Sequence, residues 1–186
     1  DGLVVVNQLS GDIRYADLSG AGVYSIAQVK DTYWLGTDRG IYVLDNALQI
    51  KAFYGGQSSP QALPESFCDN ISQNEECHLF VRKVLYDPAQ DKIWLSANNA
   101  LFSYSSKEQQ FTAQPFSDDP TQKNHIQDML LDNNNRLWLG TDNGLHILDQ
   151  SGASQHIYAE PYITDSLSAN RILTLAIDNE NTLWVG

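Results

Sequence analysis

The chain has 186 residues, 42% of them apolar and 18% charged, enough for one domain or a piece of a larger one. That composition excludes a disordered acidic tail, and no run approaches the roughly 18 consecutive apolar residues of a membrane-spanning helix. Eleven Lys and Arg against twenty-three Asp and Glu give a formal charge of −12, which repels nucleic acid and anionic membranes at long range and suits a neutral or cationic ligand or a partner protein.

Asp1 opens the sequence without the basic and apolar segments of a secretion signal, so the compartment has to be read from other features. The segment Asp1-Gly2-Leu3-Val4-Val5-Val6 is similar to Asp142-Asn143-Gly144-Leu145-His146-Ile147 later in the chain. Both termini are therefore expected to fall inside a repeat. Either the ends pair to close a four-unit ring, or the units belong to a longer one; excision from a longer ring is the favoured reading.

The first repeat runs from Val23 through Trp34 to the turn at Gly40. A long connection follows, in which residues 55–77 form a loop insertion marked by Gly55-Gly56-Gln57-Ser58-Ser59, Pro60 and Pro64. Cys68 and Cys77 bracket a polar run within it. Either they close a ten-residue loop as a disulfide or they are two separate buried thiols; the polarity of the segment favours the bridge, and hence an oxidising compartment.

The second repeat is centred on Trp94, the third on Trp138 and the fourth on Trp184, so that all four tryptophans fall in one pattern at spacings of 60, 44 and 46 residues. Each unit opens with apolar residues three apart: Val23/Ile26, Val81/Val84, Ile126/Met129 and Ile172/Leu175. Three then reach an aspartate, Asp87, Asp132 or Asp178, followed by a polar turn, a Trp strand, a second turn and another apolar strand. Asn, Asp and Gly tolerate the left-handed backbone of tight hairpins. No amphipathic helical period survives the interruptions.

Around Trp184 and the preceding residues the expected strands are A, Ile172–Ile177; B, Leu183–Gly186; C, Leu145–Leu148; and D, Ala153–Tyr158. A period near 45 residues with about four strands per unit predicts an all-β chain of β-propeller blades, four repeats of four-stranded antiparallel meanders spanning 1–186, as a fragment of a larger propeller. The indoles of Trp34, Trp94, Trp138 and Trp184 are expected to pack between neighbouring sheets.

The run Ile126-Gln127-Asp128-Met129-Leu130-Leu131-Asp132, continuing through Leu137-Trp138-Leu139-Gly140-Thr141-Asp142-Asn143-Gly144-Leu145, resembles the two-component regulator propeller repeat of bacterial sensor proteins. Asp165-Ser166-Leu167-Ser168-Ala169-Asn170-Arg171-Ile172, leading to Trp184-Val185-Gly186, is similar to that family's linker and following repeat. The second repeat departs most, with Ser96-Ala97-Asn98-Asn99-Ala100 in place of the Gly-Thr pair and the later Gly. The resemblance implies a periplasmic sensory propeller of a transmembrane receptor, followed elsewhere by a membrane helix and a histidine kinase or diguanylate cyclase. It implies ligands such as oligosaccharides and does not specify binding residues.

No Gly-x-Ser-x-Gly elbow, P-loop or dinucleotide fingerprint occurs, and His78, His125, His146 and His156 lack ligand-like spacing. The segment is read as non-catalytic, with no catalytic residue, metal or cofactor assigned. Asp132-Asn133-Asn134-Asn135 has the oxygen content of a calcium loop but lacks its Gly and distant Glu, so a hairpin turn is preferred.

Binding is expected on the face of the B–C turns, which carry Arg39, Asn98, Asn99, Asp142 and Asn143, and of the D–A connections, which lead to Arg82, His125 and Arg171. Amides and guanidinium groups beside aromatic rings suit sugar hydroxyls. The expected partners are a small molecule, carbohydrate in class, or a protein, together with further blades of the same receptor. The alternative reading is an interaction or dimerisation scaffold, including a homodimer, without a small-molecule ligand. A third, a lyase or hydrolase propeller, would need His and acidic groups converging on a central channel.

Overall fold

The computed structural model describes residues 2–55, 79–117, 124–164 and 166–186. Cys68, Cys77 and all of the 55–77 insertion beyond Gly55 lie outside the described residues. Among those described, every extended regular element is a β-strand, and no helix is long and apolar enough to cross a membrane.

The chain divides into two compact units, Asp1–Tyr86 and Asp87–Gly186. In the first, β1 (Leu3–Val6) and β2 (Ile13–Ala16) form an antiparallel pair. Strands β3 (Val23–Val29), β4 (Thr32–Thr37), β5 (Gly40–Asp45) and β6 (Ile50–Tyr54) follow as a four-stranded meander in chain order. Strand β7 (Val81–Asp87) belongs to a sheet of order β10-β9-β8-β7 with β8 (Lys92–Ala97), β9 (Ala100–Ser105) and β10 (Gln110–Gln114).

The second unit continues with a meander of β11 (Ile126–Leu131), β12 (Leu137–Thr141), β13 (Gly144–Leu148) and β14 (Ser154–Ile157), and ends in the pair β15 (Leu175–Ile177) and β16 (Leu183–Val185). The fold is all-β, built of propeller blades. The first strand of the fourth repeat starts at Leu175, three residues later than its apolar pattern suggests: Ile172 N–H goes to Thr141 O of the preceding repeat, and Thr174 and Gly186 exchange backbone bonds at 3.1 Å just before the strand pair.

Short side-chain acceptors close the turns. Asn7, Asp45 and Asp149 each accept two or more backbone N–H groups of the loop that follows, the local bonding that makes Asx residues turn formers. Asp132 does the same between β11 and β12: its Oδ1 accepts the amides of Asn134 and Arg136 at 2.9 Å. Its Oδ2 accepts Arg136 Nε at 2.7 Å and Trp138 Nε1 at 2.9 Å. Asp178 repeats the pattern, with Trp184 Nε1 at 2.8 Å. The Asp132 cluster is thus the hairpin turn expected of it, and it anchors the tryptophan.

Between β4 and β5, and between β12 and β13, Thr37 and Thr141 donate their hydroxyls to Gly40 O and Gly144 O at 2.7 and 2.8 Å. Gly144 has φ of 96°, and a Cβ there would lie 2.5 Å from Ile157 O, so the position requires glycine. The second repeat, with Ala97 for Thr and Ala100 for Gly, makes the same two-residue reversal by placing Asn98 and Asn99 at φ of 44° and 67°. Asparagine tolerates that backbone best among non-glycine residues.

Successive repeats meet at a small residue two positions beyond the tryptophan. A Cβ on Gly36 would lie 2.8 Å from Val81 O, and one on Gly140 2.7 Å from Ile172 Cγ2. Val81 and Val84 sit on Gly36, and Ile172 and Leu175 on Gly140. These pairs are buried, as are Ile126 and Met129 of the third repeat, where Ser96 stands at the position of the glycine; Ile26 of the first pair is exposed. A polar side chain completes two of the contacts. Ser25 Oγ accepts Val84 N–H at 2.9 Å, and Asp128 Oδ2 accepts Leu175 N–H at 2.9 Å.

Trp34 and Trp94 are buried, the former stacked on Tyr54 at 5.8 Å. Trp138 packs against the cluster of Leu145, Ile172 and Leu175. Trp184, in the last strand, is 62% exposed.

Candidate functional site

Two of the inner strands carry a register shift near their start, between Val23 and Ser25 in β3 and between Ile126 and Asp128 in β11. Such bulges re-aim one side chain out of the alternating pattern. The residues involved are Tyr24 and Gln127, at the end of the sheet where the B–C turns lie: Asp38 N–H bonds Gly22 O, and Asp142 N–H bonds His125 O.

In the second unit this end gathers a polar cluster on Asp142. Its Oδ1 accepts Gln127 Nε2 at 2.9 Å and faces Arg171 Nε at 3.5 Å, while Oδ2 lies 3.2 Å from His125 Nδ1. The side chains are 33% exposed for Asp142, 45% for His125 and 70% for Arg171, so the cluster is open to solvent and its ion pair adds little stability.

An aromatic ledge adjoins it. His156 Nε2 is 2.6 Å from Asn143 O, its ring stacks on His146 at 4.1 Å and 7°, and Tyr158 lies 5.2 Å further on. Phe116 meets His146 edge-on at 5.3 Å. Asn170 ties ledge to cluster: its carbonyl takes Gly144 N–H and its Oδ1 takes Ala159 N–H, both at 2.6 Å, immediately before Arg171.

The expected residues thus separate. His125, Asp142 and Arg171 come together, and the backbone carbonyl of Asn143 meets His156 of the adjoining ledge. Asn98 and Asn99 form their own turn. Arg39 and Arg82 belong to the first unit: Arg39 Nη1 is committed to Ser19 O at 2.6 Å, and Arg82 lies over Phe80 at 5.5 Å, with Tyr24 4.7 Å from the same ring. Gln127, His156, Tyr158 and Asn170, and Tyr24 and Phe80 in the first unit, were missed. The bulge position, one residue after the first apolar residue of each repeat, would have pointed to Tyr24 and Gln127.

Chemically, the second unit offers a carboxylate, a guanidinium, an imidazole and a carboxamide beside exposed aromatic faces, which together donate and accept hydrogen bonds next to an apolar surface. Among the described residues no group of three or more His, Cys, Asp or Glu is arranged to hold a metal.

The two component regulator propeller family model matches residues 122–143, the third repeat. No curated protein sequence matches the chain. Over its whole length the chain is similar, at 26% identity and TM-score 0.76, to a solved structure described as the extracellular domain of the hybrid two-component system BT4673 from B. thetaiotaomicron, of which it spans 24%. A second such domain, BT3049 of the same organism, matches 91% of the chain and 20% of its own length at 21% identity and TM-score 0.65.

Virginiamycin B lyase from Staphylococcus aureus shares the fold at 16% identity and TM-score 0.65, over 98% of this chain and 55% of its own. The chain spans about a quarter of the extracellular domain of a hybrid two-component system that it resembles over its whole length.

Proposed function

We propose that this chain is a recognition segment of the periplasmic sensor region of a bacterial transmembrane receptor, and that it binds a neutral oligosaccharide at the Asp142 cluster without turning it over. The observation that carries the reading is the convergence of His125, Gln127 and Arg171 on Asp142 beside the His156–Tyr158 ledge. Paired donors and acceptors around a ring face are what a sugar presents in complement. The similarity to extracellular domains supports a place outside the cytoplasm. In the receptor, binding would favour one arrangement of sensor domains and so shift the output equilibrium.

Calorimetric titration of the purified protein with a panel of neutral oligosaccharides tests this. Saturable heats with the sugar recovered intact are expected. Binding that is unchanged in both Asp142→Ala and Arg171→Ala would move the site elsewhere, and appearance of cleaved sugar would replace recognition with catalysis.

A second reading, an interaction or dimerisation scaffold, is favoured by one feature of the first unit. Val4 pairs with Tyr15 and Val6 with Ile13, so the four share one face of the β1–β2 pair, and all are more than half exposed. Apolar residues grouped in this way suit a protein partner. Sedimentation at rising concentration separates the readings: self-association lost in Val6→Glu and Tyr15→Glu, with no sugar heats, supports the scaffold.

A further inference from the structure

The second repeat breaks the rule that joins each turn aspartate to its tryptophan. Asp132 and Trp138, like Asp178 and Trp184, are six residues apart and bond directly at 2.9 and 2.8 Å. Asp87 and Trp94 are seven apart. The extra residue lies before the left-handed position of the turn: Pro88-Ala89-Gln90 precede Asp91 at φ 49°, where two residues precede Asn135 at 57° and Asn181 at 64°.

The insertion changes how the carboxylate is used. Asp87 Oδ1 accepts the amides of Ala89 at 2.9 Å and Gln90 at 3.2 Å, two and three residues on, whereas Asp132 and Asp178 take those two and four residues on. Lys92, which replaces Arg136, turns to Gln90 Oε1 at 3.0 Å and lies over the Trp94 ring, away from the carboxylate. Asp87 Oδ2 and Trp94 Nε1 are both buried without a hydrogen-bond partner; Asp87 is 0% exposed. One is an acceptor and the other a donor, and each alone is costly to bury unsatisfied.

We propose that one buried water molecule bridges the pair, accepting the Trp94 indole N–H and donating to Asp87 Oδ2. The chemistry selects water over an ion. A cation would face the indole proton and an anion the carboxylate, while a neutral molecule that both donates and accepts satisfies both. Buried waters hold such positions with two to four polar partners. The site replaces, at one residue's greater reach, the direct bond of the other repeats.

Proton NMR of the whole chain tests it. A nuclear Overhauser cross-peak between the Trp94 indole proton and long-lived water is expected, with none at Trp138, whose N–H is held directly by Asp132. Deleting Ala89 restores the six-residue spacing and is expected to abolish the cross-peak while the Trp94 indole proton stays in its hydrogen-bonded shift range. Absence of the water cross-peak in the folded wild-type chain overturns the proposal, whether or not the deletion variant folds. So does a crystal structure with a direct Asp87–Trp94 bond, or an ion, in that place.

Discussion

Ser96 donates its hydroxyl to the carbonyl of Ile126 at 3.2 Å, at the position in the repeat where Gly36 and Gly140 carry no side chain. The three residues show two solutions to one constraint, the close approach of the next repeat's first strand. Glycine leaves room for it, and serine fills the same space with a hydroxyl that bonds the approaching backbone.

Alanine at the glycine positions has neither virtue. Gly140→Ala would put its Cβ 2.7 Å from Ile172 Cγ2, and overpacking of this kind costs about 1–3 kcal/mol. Ser96→Gly loses one hydrogen bond, about 0.5–1.5 kcal/mol. Urea unfolding of the three chains should rank them wild type, then Ser96→Gly, then Gly140→Ala; equal midpoints would refute the tight junction.

Asp132 takes four donors, among them the Trp138 indole. Asp132→Ala leaves these without their acceptor, a loss of at least about 1–3 kcal/mol. Asp178→Ala should cost less, because the bonds from the Glu180 and Thr182 amides and the Trp184 indole are exposed to water there and no guanidinium joins them. Thermal unfolding followed by tryptophan fluorescence measures both.

Acid should destabilise the chain through its turn aspartates. Burial pushes the Asp132 carboxyl up, but the N–H donors of Trp138, Arg136 and Asn134 outweigh it and hold its pKa below the ordinary value. The Thr182 amide and Trp184 indole lower Asp178, the Gln49 and Ala47 amides lower Asp45, and Ser151 and Ala153 lower Asp149. A carboxyl whose folded pKa is depressed favours folding while ionised. Its contribution is complete above the unfolded value near 4 and is lost as pH falls through the lower folded values. Tm should therefore drop below about pH 4, and Asp132→Asn should make that drop shallower. A drop of unchanged steepness in the variant would remove Asp132 from this account.

Binding and stability should separate at the Asp142 cluster. Arg171→Ala removes an exposed partner worth less than about 1 kcal/mol to the fold, yet loss of a charged hydrogen bond to ligand would weaken affinity roughly tenfold or more. A matching titration and melt of the same preparation decide it; a large fall in Tm would make Arg171 a structural residue instead.

Much of this was legible in the residues alone. The recurrence of Trp34, Trp94, Trp138 and Trp184, the apolar pairs three apart and the Asn, Asp and Gly turns act within a few residues of themselves, so they determine blade, strand and hairpin without reference to distant parts of the chain. The seven-residue gap from Asp87 to Trp94 was equally visible, since it is a count. The gathering of His125, Gln127 and Arg171 about Asp142, and the alignment of His156 with Tyr158 beside them, was decided by tertiary structure. Those positions meet because the third repeat's turn abuts the entry to the fourth, where Asn170 bonds Gly144 and Ala159, and because a bulge at the start of β11 turns Gln127 aside. A side chain's neighbours across a junction depend on where two backbones pass, and local sequence carries no record of that.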